Sequence, residues 1–145
     1  DDGCYYNMRG MDISDKSANF DSFMINAPCL TIAIGDGGNE IGMGNIAETL
    51  SQLDIRASQT CCDELLVADV SNWAAHGLIA LLSVMTGKDL LANWNNHAVL
   101  AYLSDAGSVD GVTGENTLTE DGMDSSASEA LIERCRQVSG LTSRV

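Results

Sequence analysis

The sequence predicts an α/β protein, a layered fold in which a small, mainly parallel sheet is flanked by helices. Two short β-rich runs, Cys29–Ile34 (CLTIAI) and Leu65–Ala68 (LLVA), are each followed by a glycine-rich or polar loop and then by a helical pattern. Strand–loop–helix units in series favour parallel pairing, because a right-handed crossover returns the second strand beside the first. Length and composition agree: 145 residues, 45% hydrophobic and 19% charged, suit one folded domain with a real core.

Each element has its own signal. Residues 1–17 are polar and irregular, opening as DDGCYYNMRG with no strand or helix in front, as if the domain were entered part-way through. Phe20, Phe23, Met24 and Ala27 recur at helical spacing and predict a short helix from about Asn19 to Asn26, stopped by Pro28. CLTIAI is too brief for a helix and is bounded by turn residues, so it reads as strand. A helix is expected within or just after the following glycine-rich loop, reaching about Leu53. Beyond LLVA, the segment from about Trp73 to Met85 is apolar almost all round (Ala74, Ala75, Leu78, Ile79, Leu81, Leu82), which predicts a helix buried inside. A third long helix is expected from Asn96 to Ala106. The last should open at Ser126-Ala127-Ser128-Glu129, which has the form of a capping box, with Leu131, Ile132, Cys135 and Val138 on one face. Asp110 to Gly114 reads as a turn, then a polar loop to Ser125.

Charge narrows the function. Twenty-one acidic and seven basic side chains give a formal charge of −14. That field repels phosphate backbones and anionic membrane surfaces, and no Lys/Arg run opposes it. Neither nucleic acid nor membrane is expected as a partner. A homo-oligomer stays open. The five cysteines are odd in number and form no CxxC pair, so free thiols in a reducing compartment are expected. That compartment would be the cytoplasm, or the mitochondrial matrix in a eukaryote. No apolar run approaches the ~20 residues that span a bilayer, and the opening residues lack a signal-peptide pattern.

Chemistry concentrates in Gly35-Asp36-Gly37-Gly38-Asn39-Glu40-Ile41-Gly42-Met43-Gly44, directly behind the first strand. Glycines let the backbone approach a ligand, and N–H groups at a loop-to-helix junction attract anions. It is no dinucleotide fingerprint: read from Gly35, Glu40 stands where the third glycine belongs. It is no P-loop either, since no Gly-Lys-Ser/Thr follows. Asp36, Asn39 and Glu40 bring two carboxylates and an amide onto one tight loop, a set able to ligate a hard cation or move protons. Asp36 and Asn39 would serve equally as turn formers. The second strand also ends in polar residues, Asp69, Ser71 and Asn72, and parallel strands would open both loops on one edge.

GDGGNEIGMGN (Gly35 to Asn45) together with VSNW (Val70 to Trp73) resembles the D-glutamate cyclase-like C-terminal domain family. Weaker matches keep the family's order: DGCYYNMRGMDIS near the start, LLVADVSNW in the middle and VDGVTG (Val109 to Gly114) near the end. The resemblance covers most of the chain as a single domain, residues 1–145, which would lack its N-terminal part and with it an acidic residue. Relatives tend to carry glycines after VSNW, where this chain has Ala74-Ala75-His76.

The resemblance implies a lyase that dehydrates D-glutamate to 5-oxo-D-proline. It suggests Asp36, Glu40 and Asn39 as catalytic groups, with Asp36 and Glu40 holding Mg²⁺ or Mn²⁺. Gly37 and Gly38 N–H groups, Ser71 and Asn72 would bind the substrate. Arg9 is the cationic clamp that the matched motifs offer. Two alternatives stand beside it: another metal-dependent phosphatase or hydrolase acting on a small anion, and a non-catalytic domain that binds a metabolite or metal. His76 and Trp73 are expected as packing residues.

Overall fold

The computed structural model describes residues 3–142, which divide into two compact units, Asp1–Ala74 and Ala75–Val145. In the first unit lie α1 (Asp21–Ile25), β1 (Ile32–Gly35), α2 (Ala47–Leu50) and β2 (Glu64–Val67). The helix α3 (Ser71–Thr86) starts in the first unit and runs through the boundary. In the second lie α4 (Asn96–Asp105), β3 (Thr119–Glu120), β4 (Met123–Asp124) and α5 (Ser125–Val138). Helices with a small parallel sheet make this an α/β fold, as the sequence predicts.

β1 and β2 pair in parallel, with Ile32 opposite Glu64 and Gly35 opposite Val67. The strand starts are tied by Asp63, whose Oδ2 accepts from Thr31 N and Thr31 Oγ1, both at 2.7 Å. Because the strands run the same way, both carboxyl ends lie at one edge. The loop after Gly35 and the loop leading to Ser71 therefore open together.

The second unit is built around Ala80 of α3, Leu91 and Ile132 of α5, with Ile79 and Cys135 against them. The apolar face expected on α5 is largely right, although Val138 is 63% exposed. α3 departs further from expectation. Ala80 and Ser83 are buried, but Leu81, Leu82, Val84 and Met85 are exposed, Met85 to 81%. The described elements pack against one stripe of this helix, and periodicity that is apolar all round cannot say which stripe that is.

Two local features also differ. The segment before Ser125 is not all loop: β3 and β4 form a hairpin, with Thr119 opposite Asp124. Its two-residue turn, Asp121-Gly122, takes φ of 50° and 79°, the paired positive values of a type I′ turn. α5 then begins one residue before the expected box. Asp124 is its N-cap, accepting from Ser126 N at 2.9 Å, while Glu129 reaches His97 N at 3.0 Å. The carboxylate two positions upstream thus takes the capping role that Ser126 was expected to fill. Among the described residues no helix is long and apolar enough to cross a membrane, and none of the five cysteines is in a disulfide.

Candidate functional site

The loop from Asp36 to Met43 links the end of β1 to a single 3₁₀ turn, Gly44–Ile46, and then to α2. Its glycines are required by shape. Gly38 has φ 101°, and a Cβ there would lie 2.6 Å from Ile55 Cδ1. Gly42 also has φ 101°, and its Cβ would lie 2.2 Å from that of Ala33. No L side chain fits either place without a backbone shift.

Asp36 is half-buried and bound to the start of α3. Its Oδ2 accepts from Ser71 N at 2.7 Å and from Ser71 Oγ at 2.6 Å. An acid here satisfies a free N–H of the first helical turn and complements the helix dipole. It also fastens the loop after β1 to the one after β2. Two of the residues singled out from sequence, Asp36 and Ser71, are thereby brought together.

Glu40 turns back on its own loop. Its Oε1 accepts from Gly37 N at 3.2 Å and its Oε2 from Gly38 N at 2.9 Å. Consecutive glycine N–H groups form a concave anion site, and here a carboxylate fills it. Asn39 faces differently. Its Nδ2 donates to the Tyr6 carbonyl at 2.9 Å, while its Oδ1 is buried with no hydrogen-bond partner.

The other expected residues are dispersed. Asn72 is exposed on the first turn of α3. Arg9 is exposed in the turn from Asn7 to Gly10, where its backbone N–H bonds Asn7 Oδ1 at 3.0 Å. Among the described residues no three His, Cys, Asp or Glu side chains gather where one cation could sit. A Mg²⁺ or Mn²⁺ ion on Asp36 and Glu40 would compete with Ser71 for Asp36 Oδ2 and with the two glycine N–H groups for the Glu40 carboxylate.

A cavity of about 640 Å³ opens beside Asn39, inside the first unit. Tyr5, Tyr6, Asp21, Arg56 and Thr60 also line it, whereas Asp36 and Glu40 do not. Asp21 is held by the hydroxyls of Tyr5 and Thr60. The bond to this carboxylate raises the Tyr5 phenol above its usual range. The Arg56 guanidinium lies 5.1 Å from the centre of the Tyr6 ring, a cation–π contact. Sequence reasoning missed Arg56 because it belongs to no motif. Its one signal is scarcity, as one of seven basic residues in an acidic chain.

A second polar cluster lies in the other unit. Glu120 is buried and accepts from Asn96 Nδ2 at 2.9 Å and from Ser128 Oγ. His76 is 5% exposed, its ring tilted 60° to that of Trp94 at 5.6 Å, and neither ring nitrogen has a hydrogen-bond partner. Burial lowers its pKa, with Glu120 and Asn96 pulling the other way.

Comparison with known proteins joins these features to a family. Human mitochondrial D-glutamate cyclase is 33% identical over 92 residues, covering 58% of this chain. The aligned part is 15% of that protein's length, so this chain corresponds to a small portion of it. The D-glutamate cyclase-like, C-terminal family matches residues 1–136, a span that includes both strands and the whole glycine-rich loop. With nearly its full length matched, the chain belongs to the D-glutamate cyclase-like C-terminal family.

Proposed function

We propose that this chain handles D-glutamate and takes part in its cyclisation to 5-oxo-D-proline with loss of water. Family membership and the name of the human relative support the reaction class. The observation that carries the reading to this loop is the pair of N–H groups from Gly37 and Gly38 closed around a carboxylate. The occupant is the γ-carboxyl of a glutamate, Glu40, the same chemical group that the substrate would present.

A substrate γ-carboxylate entering this nest would displace Glu40 and leave its carboxylate beside the incoming molecule. The substrate α-ammonium then loses one proton, the neutral amine attacks the γ-carbon, and the nitrogen gives up a second proton as the C–N bond forms. The C–O bond breaks and the departing oxygen leaves as water with those protons. Glu40 is suited to relay them as base and then acid. Asp36, fixed by Ser71, adds a negative charge that would attract the substrate α-ammonium and hold it near the loop. Holding amine and carboxyl in one molecule in a closed geometry is worth roughly 7–11 kcal/mol against a bimolecular reaction.

The test is direct. D-glutamate is incubated with the chain and 5-oxo-D-proline is separated from its enantiomer by chiral chromatography. Glu40→Gln should lower the rate about 100-fold or more. No product from the unmodified chain, or full activity in Glu40→Gln, would overturn the mechanism. A second reading has its own support: Asp36 and Glu40 are both occupied in capping backbone groups, as they would be in a domain that binds an acidic metabolite without turning it over. Saturable binding of D-glutamate with no product would select it. For location we propose a reducing compartment, in keeping with five cysteines that form no disulfide.

A further inference from the structure

We propose that the cavity beside Asn39 is the binding site for a small acidic amino acid, with Arg56 as its carboxylate clamp and Asp21 as the counter-charge for its ammonium group. Nothing in the motifs assigns Arg56, and the proposal rests on the D-glutamate reading for its choice of ligand.

Four observations converge. The cavity, about 640 Å³, falls in the range of roughly 300–1,000 Å³ usual for small-molecule sites. Arg56 lines it with no carboxylate partner among the described residues, and Arg136, by contrast, pairs with Asp89 at 2.7 Å. A planar guanidinium with five donors and no anion is suited to grip a ligand carboxylate through two parallel bonds. Asp21 lines the same cavity and brings a carboxylate to it. Tyr6 lines it as well and carries the Arg56 guanidinium 5.1 Å from its ring centre.

Tyr6 sets Arg56 and Asn39 in place. Its ring carries Arg56, and its carbonyl holds Asn39 Nδ2. Asp21 supplies a negative charge on the same cavity wall, positioned by Tyr5 and Thr60. One cation and one carboxylate on the same cavity wall are the complement of a zwitterion. Arg9, exposed on its turn and absent from the cavity wall, is not needed for this.

The site stands within one unit of the chain and adjoins the catalytic loop through Asn39, the residue both share. An amino acid anchored at Arg56 and Asp21 would thus lie in a cavity that borders the loop carrying Gly37 and Gly38.

Calorimetric titration of the full chain with D-glutamate and with glutarate, in low salt, tests this. D-glutamate should bind saturably, and glutarate more weakly because it has no ammonium for Asp21. Arg56→Gln should weaken D-glutamate at least 10-fold, with an unchanged unfolding temperature because Arg56 is exposed. Arg56→Lys keeps the charge without the fork and should fall between. Equal affinity for D-glutamate in the unmodified chain and Arg56→Gln would overturn the site, as would no saturable binding to the unmodified chain. Chromatography on the same samples separates this from the reaction. Binding through Arg56 without product leaves the site and removes the catalysis. Product formation with a KM indifferent to Arg56→Gln does the reverse.

Discussion

Asp36 shows how one side chain can carry a structural and a chemical duty that a single substitution separates. Its two bonds to Ser71 need only an acceptor oxygen. Asp36→Asn keeps such an oxygen, so the fold should lose only about 1 kcal/mol, the size of one weakened hydrogen bond. Any acid–base or charge role would be abolished. We expect D-glutamate cyclisation to fall far more than thermal stability does; parallel loss of both would reduce Asp36 to a cap. His76 is the opposite case, a polar residue with no visible duty. Both ring nitrogens are buried without partners. His76→Leu removes those groups while filling similar space, and should raise stability by about 1 kcal/mol. The pH dependence follows from its lowered pKa. The unfolded chain takes up a proton near pH 6.5 while the folded chain does not, so stability is full above that pH and declines as pH falls through it. Thermal melts of His76→Leu should lose this part of the acid sensitivity.

At the level of elements, the hairpin and the start of α5 are held by two aspartates. Asp110 is buried at 4% exposure and accepts from Val112 N, Thr113 N, Thr119 Oγ1 and Gly122 N. It closes the turn after α4 and pins the hairpin to it. The bonds from Thr119, Thr113 and Gly122 hold its carboxyl far below the usual range. Such a group stabilises the fold above pH ~4 and loses that contribution as pH falls through the carboxylate range. Asp110→Ala should cost about 2–3 kcal/mol in denaturant unfolding, since several donors lose a charged acceptor. Asp124→Ala should cost about 1 kcal/mol as the true cap of α5, and Ser126→Ala much less. The sequence made the strands and long helices legible, because CLTIAI and LLVA are dense in strand formers and bounded by turn residues. It hid the hairpin because Thr119-Glu120 and Met123-Asp124 do not alternate in polarity, although Asp121-Gly122 is the dipeptide that such turns use. It misplaced the cap because Ser126 and Glu129 imitate a box while Glu129 serves α4 instead.

For the chain as a whole, the candidate site was half legible. Glycines, acids and motif order marked the loop from Gly35 to Gly44, since local backbone demands are written locally. The Arg56 cavity was not, since it exists only where Tyr6, Asn39 and Arg56, distant in sequence, come together. Charge is the remaining property that belongs to no single element. A net charge of −14 on 145 residues means that like charges repel in the folded state, where they are closer than in the unfolded chain. Salt shortens that repulsion to about 10 Å at 0.1 M. The Arg136 pairs with Asp89 and Glu133 oppose the trend, but pairs of this partly exposed kind contribute little. NaCl should therefore raise the unfolding temperature steadily. The same measurement decides the metal expectation when Mg²⁺ or Mn²⁺ chloride is compared with NaCl at equal ionic strength. Screening alone would make the curves coincide, and the lack of three converging ligands among the described residues leads us to expect that. An excess rise with the divalent ion that disappears in Asp36→Asn would instead establish a bound cation at the loop, with Ser71 displaced from the aspartate.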